Sequence, residues 1–440
     1  MQLYTALHKL DTWIEGQHFK GWDPHDALNS PLLKRLTLGS RWLAIVWVQL
    51  LKRSPINLRA LLGVPKGYNP KGMGLFLASY LRKYRLSGDP QHLERVRFFA
   101  KWLVEHISPD YSGACWGYNF DWPNRGFFAP AGTPTIVNTA FIGLAFLDAQ
   151  RTLRDPLLLI HRRERGELQR TSGNSQRTLR PLQLPAILDI PDPLSIARSA
   201  CDFILNDLNP IRPAQNELCF SYTPVDRRYV HNANLMGAWL LAEVYTHTQE
   251  PHLAEHALAA ARYTARRQRP DGSWPYGEAP NDGWVDNFHT GFVLVALKRI
   301  AACLGADEFD GTLARGYRFW KERMFLPDGT PKYYPDTVYP IDAHCVAQAV
   351  LTFLEFADRD PEAGAWAWRV ARWGIEHMQD PQGYFHYQIH RHYRIRIPYM
   401  RWSQAWMQRA LTELLFCQYQ SHCIDTSSQS VKSVHTTGAL

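Results

Sequence analysis

No two of the seven cysteines in this 440-residue chain stand as C-x-x-C. Cys115, Cys201, Cys219, Cys303, Cys345, Cys417 and Cys423 are odd in number and far apart. That excludes a disulfide framework and a zinc ribbon. No apolar run is long and unbroken enough to cross a bilayer, and residues 1–20 lack the basic-then-apolar pattern of a secretory signal. The expectation is a cytoplasmic protein with reduced thiols. The chain also lacks an even excess of positive charge. Its net charge is +8, but eight arginines between Arg151 and Arg180 face only Asp155, Glu164 and Glu167, so that segment alone carries +5. The rest is nearly balanced, and no nucleic-acid partner is expected. The basic segment itself is a place where anionic lipid could make a peripheral contact.

What is present is a repeat. Arg267-Gln-Arg-Pro-Asp-Gly272-Ser-Trp274-Pro-Tyr276-Gly277 is a polar turn with a glycine and aromatics just beyond it. Weaker copies stand at Gly67 (Tyr68), Gly113 (Trp116, Tyr118), near Leu218 (Phe220, Tyr222), at Gly329 (Tyr333, Tyr334) and at Gly383 (Tyr384, Tyr387). The intervals are 46, 105, 54, 57 and 54 residues. A period near 50 marks a repeat architecture whose units share one core.

Between the turns lie pairs of helical patterns. The first members, 72–86, 136–151, 232–247, 289–304, 342–358 and 402–418, are apolar nearly all round, as in a helix buried on most sides. The second members, 89–107, 193–208, 250–267, 307–324 and 361–378, are amphipathic. A sixth is expected from the N-terminal region around 40–53. Asp89-Pro90, Glu250-Pro251 and Asp360-Pro361 are helix starts, and Gly88 and Gly305 are helix stops. Six inner and six outer helices make an all-α (α/α)6 toroid spanning 1–424, with its long aromatic loops on one face. The 105-residue interval leaves an arginine- and proline-rich insertion at about 154–191, and 425–440 reads as a disordered tail.

Function belongs on the loop face. Aromatics make up 13% of the chain, and the loops hold Trp116, Tyr118, Trp122, Tyr222, Trp274, Tyr276, Trp284, Tyr334 and Tyr339. Such rings offer flat platforms with polar edges, which suit the CH faces of sugars. Beside them stand Asp121, His231, Asn232, Asn234, Asn287 and Lys332. The candidates for proton transfer are Asp286 and Asp336, with His231, His289, Asp342 and His344 as further carriers, because ionisable groups gathered in a partly dry pocket acquire shifted pKa values. The pairs Asp342-x-His344-Cys345 and Asp286-x-x-His289 contain ligand types but no compact metal site, and neither metal nor cofactor is expected. Residues 383–396 alternate like a β-ribbon over the cleft.

Cys115-Trp-Gly-Tyr-Asn-Phe-Asp-Trp122, Gly132-Thr-Pro-Thr135, Ser221-Tyr-Thr-Pro224, Val230-His-Asn-Ala-Asn234, Asp271-Gly-Ser-Trp-Pro-Tyr276, Asp286-Asn-Phe-His-Thr290 and Tyr339-Pro-Ile-Asp-Ala-His344 together resemble a family of toroid proteins of exopolysaccharide and capsule biosynthesis (VpsJ-like). The resemblance covers about 65–415 and implies a glycan context. More widely the chain is similar to six-hairpin carbohydrate enzymes, which implies an oligosaccharide or lipid-linked glycan and hydrolase, lyase or epimerase chemistry. The Asp-Gly-Ser-Trp turn also resembles the repeat of squalene-type cyclases, but the D-x-D-D acid motif is missing. An isoprenoid-handling toroid and a non-catalytic glycan-binding scaffold stay open. The first requires a deep apolar cavity, the second aromatics without opposed carboxylates.

Overall fold

The computed structural model describes residues 2–154 and 188–419. Nearly all of the expected insertion, and the whole tail 425–440, lie outside the described residues. In chain order the helices are α1 (Gln2–Gly16), α2 (Pro31–Leu36), α3 (Arg41–Arg53), α4 (Pro70–Ser87), α5 (Pro90–Glu105), α6 (Ile136–Arg154) and α7 (Pro193–Asn206). They continue as α8 (His231–Thr248), α9 (Pro251–Ala265), α10 (Asn287–Leu304), α11 (Asp310–Arg323), α12 (Ala343–Glu355) and α13 (Ala363–Met378). The last helix, α14, opens as a π-wound turn, Met400–Ala405, and runs on to 419.

Helices α4, α6, α8, α10, α12 and α14 each pack on the next, and α14 returns to α4, so the ring closes. Outside it, α5, α7, α9, α11 and α13 lie on α4, α6, α8, α10 and α12. The chain is an (α/α)6 toroid. The burial patterns give the reason. In α8 nearly every residue from His231 to Val244 is buried, so this helix needs neighbours on all sides. In α9 only a stripe with Leu253, Ala257, Ala260, Ala261 and Thr264 is fully buried.

The sixth outer helix is α1, and not the segment 40–53. Leu3, Leu7, Leu10 and Ile14 form an apolar stripe in the main core, and α1 packs on α14. The turn glycines show the equivalence. A Cβ on Gly113 would fall 1.9 Å from Ser199 O of α7, one on Gly272 2.5 Å from Arg315 O of α11, and one on Gly329 3.0 Å from the Arg369 backbone of α13. On Gly383 it would meet Lys9 O of α1 at 2.3 Å. Each turn thus lays bare backbone on the outer helix of the following unit, and α1 fills that place for the last one. Gly272, Gly329 and Gly383 also have φ of +93°, +96° and +107°, where a side chain adds strain.

A second repeated contact ties the units together. The first backbone N–H of an inner helix donates to the aromatic turn of the next unit: Ile136 to Tyr222 O, His231 to Tyr276 O, Asn287 to Tyr333 O and Ala343 to Tyr387 O. Met400 N donates to Trp22 O in the same way. The short turns sit at the other end, where Gly88 and Gly305 close α4 and α10 in left-handed conformation.

Two small sheets lie on the loop face. Strand β1 (Trp122–Pro123) pairs with β2 (Phe128–Ala129). Strand β4 (Gln388–Ile389) pairs with both β3 (Ile341–Asp342) and β5 (Arg394–Ile395), so the stretch 383–396 does hold a hairpin. Helices α2 and α3 form a cap with a small core of its own: Ala27, Leu28, Leu33, Ala44, Val48, Leu51 and Val64. The Asp23 carboxylate takes two hydrogen bonds from Arg401, at 2.6 and 2.9 Å, which anchors the cap to the first turn of α14.

Candidate functional site

The N-termini of the inner helices point toward the loop face, and their first turns supply the reactive groups. Asp286 is the N-cap of α10. Its Oδ1 accepts the His289 backbone N–H at 2.9 Å. Its Oδ2 accepts from His289 Nδ1 at 2.6 Å and from Trp284 Nε1 at 3.1 Å. The carboxylate therefore fixes the imidazole with its Nδ1 proton inward. The His289 side chain is 23% exposed, and its Nε2 makes no hydrogen bond among the described residues. This is the geometry of an oriented base or acid.

Asp342 caps α12 in the same way but is used up by the fold. It is fully buried. Oδ1 accepts from His344 N at 2.8 Å and Trp402 Nε1 at 2.9 Å, and Oδ2 from Gln388 Nε2 at 2.7 Å. Burial pushes its pKa up to about 6, against the pull of those donors and of Lys52. Beside it, His344 lies among Phe288, Trp402 and Trp406, with ring centroids 4.6, 4.9 and 4.6 Å away. Both its nitrogens are buried without a hydrogen bond, and burial drives its pKa well below the ordinary histidine value. His344 is a neutral ring in an aromatic shell. In the same shell the Lys71 amine sits 4.5 Å from the Phe141 ring and 5.4 Å from Trp406, and burial pushes its pKa far down too.

Ring contacts run around the mouth. Trp284 stacks on Tyr276, centroids 4.6 Å apart, and Tyr276 lies 4.6 Å from His289. Phe288 then links His289 to His344, Trp402 leads to His25 of the cap, and Phe120, Tyr118, Trp122 and Tyr222 complete the series. Trp284 and Tyr334 face an open cleft of about 1140 Å³ edged by Arg53, Arg125, Arg227, Arg228, Asp226 and Asp282. Arg228 grips Asp282 with two nitrogens and donates to Asn124 Oδ1 at 2.7 Å. Arg53, Arg125 and Arg227 are exposed and have no carboxylate partner among the described residues.

Several expected site residues belong instead to the walls. Trp116 and Trp274 are buried, with their indole N–H groups on Leu103 O and Thr264 O. They plug the unit beneath the mouth and are not exposed platforms. Asn234 binds Ala260 O and Leu218 O and accepts from Phe220 N. Asn287 binds Met324 O and Lys332 O and accepts from Trp320 Nε1. Both amides splice loops to helices. Asp336 is 78% exposed and pairs with Arg323 at 3.0 Å; it lines a shallow pocket that shares Trp284 and Tyr334 with the cleft. Lys332 turns back on Pro335 O, and Asp121 joins Ala131 N to Lys34 of the cap. Tyr339 is exposed outside the cleft lining. His231 is buried, with Nε2 3.2 Å from Glu278 Oε1. With Asn232, Tyr276, Asp286 and His289 it lines a narrow pocket below the mouth.

The arginines of the cleft, and Asp23, His25, Lys52 and Arg401 beneath the cap, are absent from the sequence-based set. Arg125 in Trp122-Pro-Asn-Arg-Gly126 and Arg227-Arg228 stand inside the very loops singled out for their aromatics. The charge count had drawn attention to the insertion instead. Nothing in the spacing signalled that the cap meets Arg401, 378 residues beyond Asp23.

No protein-family model matches the chain, and no curated protein matches it in sequence. Its backbone is similar to solved six-hairpin structures. The cellobiose 2-epimerase of Bacillus thermoamylovorans superposes with a TM-score of 0.59 at 9% identity, over 81% of this chain and 90% of that one. The alpha-mannanase of Bacteroides thetaiotaomicron gives 0.52 at 10% identity, over 80% and 87%. An unsaturated glucuronyl hydrolase specific for heparin gives 0.52 at 12%, over 81% and 89%. The fold is the one these carbohydrate-processing enzymes share; at such identity the likeness establishes the fold alone.

Proposed function

We propose that the chain is a carbohydrate-active enzyme that moves a proton on an anionic oligosaccharide or lipid-linked glycan, with His289 as the proton carrier and Asp286 as its orienting partner. The observation that carries this reading is the state of the carboxylates. Hydrolysis by two carboxyl groups needs each of them to reach the scissile bond or a water. Around the mouth, Asp286, Asp342 and Asp23 each have both oxygens committed to protein donors. Asp282 is committed to Arg228, and Asp226 to Thr223 Oγ1 and Arg228 N. Asp336 keeps one oxygen unbonded but is 78% exposed to water, so among the groups at the inner-helix starts the imidazole of His289, with its free Nε2, is the one left to act. That favours epimerising, isomerising or eliminating chemistry over hydrolysis. Trp284 and Tyr334 supply sugar platforms, and Arg53, Arg125 and Arg227 supply charge for a carboxylate or phosphate on the glycan. The arginine-edged cleft speaks against the isoprenoid reading. The resemblance of the sequence motifs to exopolysaccharide-biosynthesis toroids supports a reaction in polysaccharide assembly or modification.

The test is incubation of the purified chain in deuterated water with uronate-bearing and neutral oligosaccharides, followed by mass spectrometry. The expected result on the anionic glycan is deuterium uptake, or cleavage without gain of water to an unsaturated sugar and a sugar alcohol, abolished by His289→Gln and weakened by Arg125→Gln with Arg227→Gln. Cleavage with gain of water that survives His289→Gln would overturn the reading.

A further inference from the structure

Ten of the nineteen large apolar side chains that stand exposed among the described residues lie between Leu32 and Leu61. In α3 the buried positions are Ala44, Val48 and Leu51. The opposite stripe, at i, i+4 and i+8, is Trp42, Val46 and Leu50, all exposed. A helix on the surface of a water-soluble body carries polar groups there. Leu38, at the tip between α2 and α3, is 84% exposed, and Leu61, in the loop beyond α3, is 83%. So large an apolar surface in one place marks an interaction site.

The charges around it are of one sign. From Pro31 to Lys66 there is no Asp or Glu, against seven Lys and Arg. Lys34 and Arg59 are taken by Asp121 and Asp26, and Lys52 is turned inward to His25. Arg35 and Arg53 remain exposed, and Arg41 lies half-exposed beside the Trp42 ring, 5.5 Å from its centroid. A second copy of this segment would bring like charges together, whereas an anionic surface with an apolar interior complements both features. We propose that the α2–α3 cap is an interfacial anchor that docks the protein on an anionic lipid surface, with the apolar stripe at the acyl boundary and the arginines among the headgroups.

The anchor lies on the surface and does not span. At 13 residues α3 is too short to cross a bilayer. Among the described residues the one helix with the length and composition to cross, Asn287–Leu304, is mostly buried in the ring. Arg53 belongs to both features, ending α3 and lining the cleft. Docking would therefore bring the cleft rim to the headgroup layer, where a lipid-linked glycan presents its sugar. The docking itself does not depend on which reaction the cleft performs.

The test is flotation of the full chain with vesicles of phosphatidylcholine alone and of phosphatidylcholine and phosphatidylglycerol in equal parts. Trp42→Ser with Val46→Ser and Leu50→Ser removes the stripe without touching a buried position, so the variant should unfold at the wild-type temperature. Arg35→Gln with Arg41→Gln removes charge alone. The proposal expects the wild type to float with the anionic vesicles, the serine variant to bind them at least about tenfold less, and the glutamine variant to lose roughly tenfold on anionic vesicles only. Wild type that stays unbound, or binding equal in all three proteins, overturns it. So does a salt-insensitive dimer that the serine variant breaks, since the patch would then be an interface between copies of this chain.

Discussion

Replacing Asp286 by Asn changes one atom's chemistry at the centre of the proposed site, and the hydrogen bonds say what must follow. Asn is as good an N-cap as Asp, so its Oδ1 can keep the His289 backbone N–H now held at 2.9 Å. The other position is different. Oδ2 now accepts from both His289 Nδ1 and Trp284 Nε1, and an amide nitrogen there would face two donors. Trp284 is partly exposed and can turn to water. His289 can relieve the clash only by moving its proton from Nδ1 to Nε2, so that Nδ1 accepts from the new amide. Lost dipole charge and a weaker bond to the ring together cost about 1–2 kcal/mol of stability. The functional loss is larger, because Nε2 no longer offers a lone pair. A reaction that uses it as base should slow by roughly 10²–10⁴. Nitrogen NMR on protein labelled at histidine reads the tautomer directly, with His289→Gln assigning the signal. Wild type should show Nδ1 protonated and Asp286→Asn should show Nε2 protonated. An unchanged tautomer together with full turnover would refute both the orienting role of Asp286 and the catalytic role of His289.

Other substitutions probe the ring and the cap. Gly383→Ala would press a Cβ to 2.3 Å from Lys9 O at a φ of +107°; overpacking and backbone strain should together cost about 2–5 kcal/mol in denaturant unfolding, and a neutral result would remove α1 from the ring. Asp23→Ala leaves the buried Arg401 guanidinium unpaired and should destabilise by roughly 3–5 kcal/mol, with Asp23→Ala plus Arg401→Met recovering much of that loss; equal losses in the single and double variants would show that the pair does not hold the cap. Burial, aided by Lys52 and opposed by Asp23, lowers the His25 pKa to about 4. Between about pH 4 and 6.5 the unfolded chain then binds more protons at this site than the folded one, so its contribution to stability rises with pH through that window, by up to roughly 3 kcal/mol. Urea unfolding of the wild type and of His25→Gln should give a difference that grows in favour of the wild type from pH 4 to 6.5 and is flat above it; a pH-independent difference would place His25 in water.

The ring was legible because its signals are local and repeated. A turn glycine that must lie on helix backbone, an aromatic behind it and an all-apolar helix after it recur in nearly every unit, so pattern alone places them. The site was legible where a residue's offset from the helix start decides its direction. Asp286 and His289 stand three apart at an N-cap, which forces them together, and Trp284, two residues before that cap, reaches up to join them. Trp116 and Trp274 lie at the other end of their loops, close behind the turn glycine, and there the indole falls onto the outer helices. Reading both kinds of loop tryptophan as platforms ignored that offset. The choice of sixth outer helix failed for another reason. Segment 40–53 is richer in large apolar residues than α1. Apolar content is a property of the segment, whereas burial depends on what covers it. Helix α1 needs only the stripe of Leu3, Leu7, Leu10 and Ile14 to seat on the ring, and its other side is free to be polar. Helix α3 is apolar on the side facing the cap core and also on the side facing away. A segment more apolar than its place on the ring requires has a second face left for another environment, and the anionic lipid surface proposed for it is the one its charges match.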